Sequence, residues 1–346
     1  MTTTSFLLLK LPLIPLELII NRLDFFDLLQ LSMKSSKFKR RLELLKLSVY
    51  SLQLSVTQRL YRIEILQNRN FCYIDVCDSV PVDTITELAN IQGEPVHIWS
   101  DGRDEVKVKS DLSKLATLET ITKYILSITK IAKYSLTYND AKTEIRSLFV
   151  WQITTQMHLL HVSPNNGISI TMSPEDLKFL LDGISVECLI LDVSCPDFKY
   201  QRSIRHPVIN ISSPSWIDFD QFSFGSETIT AEFRDQKVSN PVLNRLIKDW
   251  TEGKNPKLRE VKFKWEDSNP EILAMVREHQ ARPAKPILPN RNIDKLKGLC
   301  INYSITYQSR LWHPSVFYEV RLSVEDQPSR RAPDSEAGNN GIHLAD

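Results

Sequence analysis

Apolar residues between positions 11 and 38, LPLIPLELIINRLDFFDLLQLSMKSSKF, fall on more than one side of two short helices. On the first, which runs from about Leu16 to Leu23, Leu16, Ile19, Ile20 and Leu23 share a face, while Leu13 and Leu18 point elsewhere. On the second, Phe25, Leu28, Leu29 and Leu31 cover most of the circumference. A surface helix needs a single apolar stripe, so the surplus must be covered, and the expected cover is another protein. Pro12 or Pro15 fits a first helical turn, where a missing N–H costs nothing. Asp24 is placed to cap the second helix, with Asp27 near its positive end. Ser35 or Ser36 is placed to cap a third helix carrying Lys37, Lys39, Arg40 and Arg41.

The pattern then changes to strands. Val49, Leu52, Leu54 and Val56 lie among polar neighbours, and residues 61–66 alternate. Residues 71–76, 96–100 and 106–109 read as further strands, the last two flanking a hairpin turn at Asp101-Gly102. Leu118, Ile121, Ile125 and Ile128 recur at helical spacing, which predicts a helix over 115–131. From about 141 a helix-like segment ends near Trp151, and strands at 157–162, 187–193, 208–212, 228–233 and 258–265 alternate with helical segments at 173–183 and 239–252. Ser213-Pro214 opens a short turn containing Trp216. Two more strands are predicted at 300–307 and 316–322.

Strand starts near 187, 208, 228 and 258 recur with the period of a strand-plus-helix, leucine-rich-repeat-like solenoid. The expected fold class is therefore α/β with a parallel, curved sheet, with a mixed α+β layer structure as the alternative. The expected organisation is an arm over 1–9, a three-helix unit over 10–47, a connecting region over 48–140, a repeat-like domain over 141–322 and a disordered tail over 323–346. Pro283, Pro286 and Pro289 mark a loop before the last strands.

Leu11, Pro12, Ile19, Leu23, Asp24, Asp27, Leu28, Leu29, Leu31 and Ser32 follow the order and spacing of an F-box, which this segment resembles. Pro15 early in the first helix, and Phe38 near the place where a tryptophan is common, depart from that pattern. Residues 239–263, SNPVLNRLIKDWTEGKNPKLREVKF, resemble the signature of the type-two F-box-associated domain of nematode F-box proteins, in which an F-box precedes this domain. The resemblance implies a substrate-recognition subunit of an SCF-type cullin–RING ubiquitin ligase. Its F-box would grip a Skp-type adaptor, and through it the cullin and RING subunits. Leu11, Pro12, Leu16, Ile19, Ile20, Leu23, Leu28 and Leu31 would line the adaptor contact. The C-terminal domain would hold a protein target, whose identity and contact residues the sequence does not give. The alternative is a binding scaffold that uses its F-box outside any ligase.

Composition narrows the chemistry. The net charge of +1 supplies no global field for nucleic acid or an anionic membrane. The cluster Lys34, Lys37, Lys39, Arg40 and Arg41 reads as a nuclear signal or, more commonly, the solvated face of a helix. Nine glycines, without G-x-G-x-x-G or G-x-x-x-x-G-K, argue against a backbone phosphate cradle. Five cysteines without C-x-x-C suit a reducing compartment. The apolar run over 7–20 is interrupted by Lys10, Pro12, Pro15 and Glu17 and lacks a signal-peptide cleavage site, so an intracellular chain is expected.

Candidate catalytic groups are few. His158 and His161 could share a metal on a helix, but on a strand they face opposite ways. Asp218 and Asp220 form an acidic pair of the kind usually found in a solvated loop. Cys188 and Cys195 border a buried strand with no base beside them. Trp151, Trp216 and Trp250 are expected in the core. No cofactor is expected, and the implied role is proximity rather than bond chemistry.

Overall fold

The computed structural model describes residues 11–20, 22–100, 105–140, 143–164, 170–265, 299–310 and 313–324. The expected arm over 1–9, the turn at Asp101-Gly102, the proline loop and all but the first two residues of the tail expected over 323–346 lie outside the described residues, as do the side chains of Leu243, Ile247 and Trp250.

Three helices open the chain: α1 (Leu13–Ile20), α2 (Phe25–Lys34) and α3 (Ser36–Leu45). The first helical bond of α1 runs from Leu16 N to the Pro12 carbonyl at 3.1 Å. Ser35 caps α3, its Oγ accepting from Phe38 N at 3.2 Å. Asp24 holds the N-cap position of α2 but makes no side-chain cap; its Oδ1 accepts from Asn70 Nδ2 at 2.8 Å instead.

Strands β1 (Leu47–Thr57), β2 (Tyr61–Gln67), β3 (Asn70–Val76), β4 (Glu87–Ile91), β5 (Glu94–Ser100) and β6 (Glu105–Ser110) follow, then helix α4 (Lys114–Ile128) and strand β7 (Thr129–Asn139). Next come α5 (Val150–Ile153), β8 (Gln156–Val162), β9 (Ile170–Thr171), α6 (Pro174–Lys178), β10 (Ser185–Leu191) and β11 (Val193–Ser194). The series closes with β12 (Val208–Ile211), β13 (Thr230–Lys237), α7 (Asn240–Thr251), β14 (Glu260–Trp265), β15 (Leu299–Arg310) and β16 (His313–Val324). Gly253, at φ 79°, supplies the left-handed step just after α7.

Fourteen of these strands form one sheet, in the order β15-β16-β14-β13-β12-β10-β8-β7-β1-β2-β3-β6-β5-β4. At its centre β1, β7, β8, β10, β12, β13 and β14 lie side by side, parallel and in chain order. Parallel neighbours need crossovers, and α4, α5, α6 and α7 lie on them. From β7 onward these strands begin at 129, 156, 185, 208, 230 and 260, so each step is 22 to 30 residues.

The expectation of a parallel sheet holds only for this centre. Both wings contain antiparallel pairs: β14–β16–β15 at one end, and β1–β2–β3 and β6–β5–β4 at the other, with β3 and β6 parallel. The cause is local. Asn68 and Arg69 have φ of 49° and 72°, and Gln92 and Gly93 have 56° and 95°, which gives the two-residue turns that fold β2 onto β3 and β4 onto β5. The sheet also runs without a break across residue 140, because β7 pairs directly with β8.

On one face of the central strands, Leu136, Tyr138, Leu160, Val162, Leu189, Leu191, Ile209, Ile211 and Phe233 are buried. They belong to one hydrophobic cluster that also takes in Leu16, Leu28 and Phe38 of the helical unit and Ile121 and Ile125 of α4.

Candidate protein-binding surfaces

The helical unit is clasped to one end of the sheet. Tyr124 of α4 donates to Ser32 Oγ at 2.9 Å, and Ser32 in turn donates to the Leu29 carbonyl at 2.7 Å. Burial pushes the Tyr124 hydroxyl above its ordinary pKa, so it stays a donor. Lys39 lies 4.9 Å from the centre of the same ring. Lys46, in the left-handed region at φ 52°, donates from Nζ to the carbonyls of Ser127 at 2.6 Å and Leu126 at 3.3 Å, at the negative end of α4. Lys34 pairs with Glu87 of β4 at 2.9 Å.

This docking redefines which apolar residues face outward. Leu16, Ile20 and Leu28, expected at the adaptor contact, are fully buried in the chain's own core. Leu11, Ile19 and Leu23 are half-buried, and Pro12 is exposed. Leu31 is 41% exposed and Leu18, assigned to no contact from the sequence, 62%. Much of the surplus apolar surface of α1 and α2 is therefore covered by this chain, because α2 packs against α3 and β4 and α3 against α4. Beside α2, the segment leading into β4 carries Val82 and Ile85 about 90% exposed. Its sequence, VPVDTITELANI, has no period that marks it as an edge strand.

The second surface is the sheet face opposite the helices on the parallel strands. The pairing register lines up Gln53, Ser135, Leu159, Cys188, Val208, Thr230 and Glu260 in one row across seven strands. A second row holds Ser55, Thr137, His161, Ile190, Asn210, Glu232 and Lys262. Apart from Ser135, these side chains are half-buried. The rows are polar near β1, with Gln53 Nε2 donating to Thr137 Oγ1 at 3.3 Å. Over β8, β10 and β12 the first row is apolar while the second is polar at His161 and Asn210, and both are charged near β14, where Lys262 lies 3.9 Å from Glu232 and 3.7 Å from Glu260. Asn210 Oδ1, in the middle of the second row, is buried without a hydrogen-bond partner. Burial pushes the His161 imidazole down, opposed by Asp192, so it is a neutral donor and acceptor near pH 7.

The sequence-predicted chemical groups are not brought together. His158 and His161 lie on β8 facing opposite ways; His158 Nδ1 contacts Glu187 at 2.6 Å and Lys133 at 3.4 Å. Asp218 Oδ1 accepts from Asp220 N at 3.2 Å within a turn. Burial raises the pKa of both the Cys188 and Cys195 thiols, which keeps them protonated. Trp216 is fully buried and donates to the Val193 carbonyl at 3.2 Å; Trp151 donates to the Ile145 carbonyl at 2.6 Å. No group of three or more metal-ligating side chains occurs among the described residues, and no described helix is long and apolar enough to cross a membrane.

No protein-family model, curated protein or solved structure matches the chain.

Proposed function

We propose that this chain is the substrate-recognition subunit of an SCF-type cullin–RING ubiquitin ligase, with the N-terminal helices as its F-box and the repeat-like strands as its target-binding domain. The observation that supports it most is the clasp between Ser32 and Tyr124, which joins the helical unit to α4, the helix packed against the sheet whose open face forms the second surface. A receptor has to hold an adaptor and a target at a constant separation, so that transfer to a target lysine becomes effectively intramolecular. A rigid joint meets that need better than a linker.

On this reading the adaptor meets the outward residues Pro12, Leu18 and Leu31 with the half-buried Leu11, Ile19 and Leu23, while Leu16, Ile20 and Leu28 shape the helices from inside. The target meets the two rows of the open sheet face. The repeat-like reading is supported by seven parallel strands in chain order with steps of 22 to 30 residues from β7 onward.

Affinity capture of the full chain from cells, with adaptor and cullin quantified, tests the proposal. Recovery of both is expected. Recovery of the adaptor without cullin would favour a scaffold outside a ligase, and recovery of neither would overturn the proposal.

A further inference from the structure

The third helix carries a cationic stripe that neither proposed surface uses. Lys37, Arg40, Arg41 and Leu44 stand at i, i+3, i+4 and i+7 on α3, hence on one face about 10 Å long at 1.5 Å per residue. The three cations are exposed, and Leu44 at the end of the stripe is 74% exposed. The opposite face, Phe38 and Leu42, is in the core.

The neighbouring lysines are all engaged. Lys34 pairs with Glu87, Lys39 with Glu43 at 3.5 Å, and Lys46 caps α4. Lys37, Arg40 and Arg41 have no acidic partner among the described residues. A chain of net charge +1 thus concentrates three unpaired cations beside an exposed leucine.

We infer that this stripe docks an acidic amphipathic helix of a partner protein, with carboxylates spaced three and four residues apart to meet the cations and one apolar side chain to cover Leu44. Three cations fall short of the roughly 4–8 of a polybasic lipid-binding segment. They also fall short of the roughly 6–10 phosphate contacts that hold a protein on a duplex. Neither of those partners gives Leu44 an apolar neighbour of fixed position. Two arginines suit bidentate carboxylate recognition, and the pairing speeds encounter and selects partners more than it adds affinity. The inference does not depend on the ligase reading, since Leu18 and Leu31 lie on α1 and α2.

The test uses the full chain and a labelled synthetic helical peptide with glutamates at i, i+3 and i+4 and a leucine at i+7, read by fluorescence anisotropy. Saturable binding is expected, weakening about tenfold or more as salt rises well above physiological strength. The Lys37→Glu/Arg40→Glu/Arg41→Glu variant is expected to keep the parent's melting temperature, because all three side chains are exposed, and to lose the peptide. It should gain a charge-swapped lysine peptide that the parent ignores. Leu44→Ala should weaken binding with the salt dependence unchanged. Equal binding of acidic and basic peptides by the parent would overturn the inference, as would unchanged binding by the triple variant. Tighter binding to phosphatidylserine vesicles or to duplex DNA than to the peptide, lost in the triple variant, would also overturn it.

Discussion

The Tyr124 hydroxyl reaches Ser32 Oγ at 2.9 Å from 92 positions further along the chain, and both groups are buried. Ser32 is in α2 and Tyr124 in α4, so this bond ties the N-terminal helical unit to the helix that packs against β2 and β7 of the sheet. The two ends of the bond are not equivalent. Ser32→Ala leaves the Tyr124 hydroxyl buried without its acceptor, and an unsatisfied group costs about 1–3 kcal/mol. Tyr124→Phe leaves Ser32 still bonded to the Leu29 carbonyl and should cost about 1 kcal/mol. Chemical denaturation of both single variants and the double should show the serine change to be the larger and the pair to be non-additive.

The clasp changes how the helical unit must be tested. Deleting residues 1–47 would strip Leu16, Ile20, Phe25, Leu28, Leu29 and Phe38 from a core shared with the sheet, so loss of function in that deletion would mean unfolding. Leu28→Asp buries an unpaired charge and is expected to abolish cooperative folding. Leu31→Asp, on the same helix but 41% exposed, should melt within about 0.5 kcal/mol of the parent. Thermal melts followed by circular dichroism separate the two.

Gly225 is a position where the backbone leaves no room. It donates to the Ile204 carbonyl at 2.9 Å, and an added Cβ would lie 2.8 Å from both that oxygen and the Arg205 Cα. These are backbone atoms that cannot swing aside. Gly225→Ala is expected to destabilise by about 1–3 kcal/mol, measured as a lower denaturation midpoint at unchanged slope. An unchanged midpoint would contradict the close approach.

His206 should make the fold acid-sensitive. Burial pushes its imidazole below the ordinary 6.5, against the opposing pull of the Leu180 and Val186 backbone and the Asp182 carboxylate, and Nε2 has no hydrogen-bond partner. The unfolded chain therefore takes up a proton near pH 6.5 and the folded chain only at lower pH. Stability from this group is complete above that value and declines as pH falls from it towards the folded pKa. His161 is shifted the same way and adds to the slope. Melting temperature measured downward from pH 7.5 should fall more steeply for the parent than for His206→Leu.

Much of the element order was legible because local signals were strong. Ser35 caps α3, Ser173 caps α6 with its Oγ accepting from Asp176 N at 3.1 Å, and alternation marks β1 and β2. The first three residues of β7 fall inside the helix predicted over 115–131, because Ile131 continues the three-residue spacing of Ile125 and Ile128, and no element is predicted over the rest of the strand. Thr129 ends that helix: its Oγ1 bonds back to the Ile125 carbonyl at 2.7 Å while its backbone turns extended. The outward face of the helices is not legible in the sequence for a tertiary reason. Periodicity shows how many sides of α1 and α2 are apolar, but not that β4, more than fifty residues on from α2, supplies one of the covers.

The most direct measurement of the central claim is titration calorimetry of a purified Skp-type adaptor into the full chain and into its Leu18→Asp/Leu31→Asp variant. Both side chains are exposed, so the variant should fold like the parent. One-to-one binding to the parent and at least tenfold weaker binding to the variant are the expected results, since two apolar contacts would become desolvated charges. No heat with the parent, or equal affinity for a folded variant, would contradict the assignment of the helical unit as an adaptor-binding F-box.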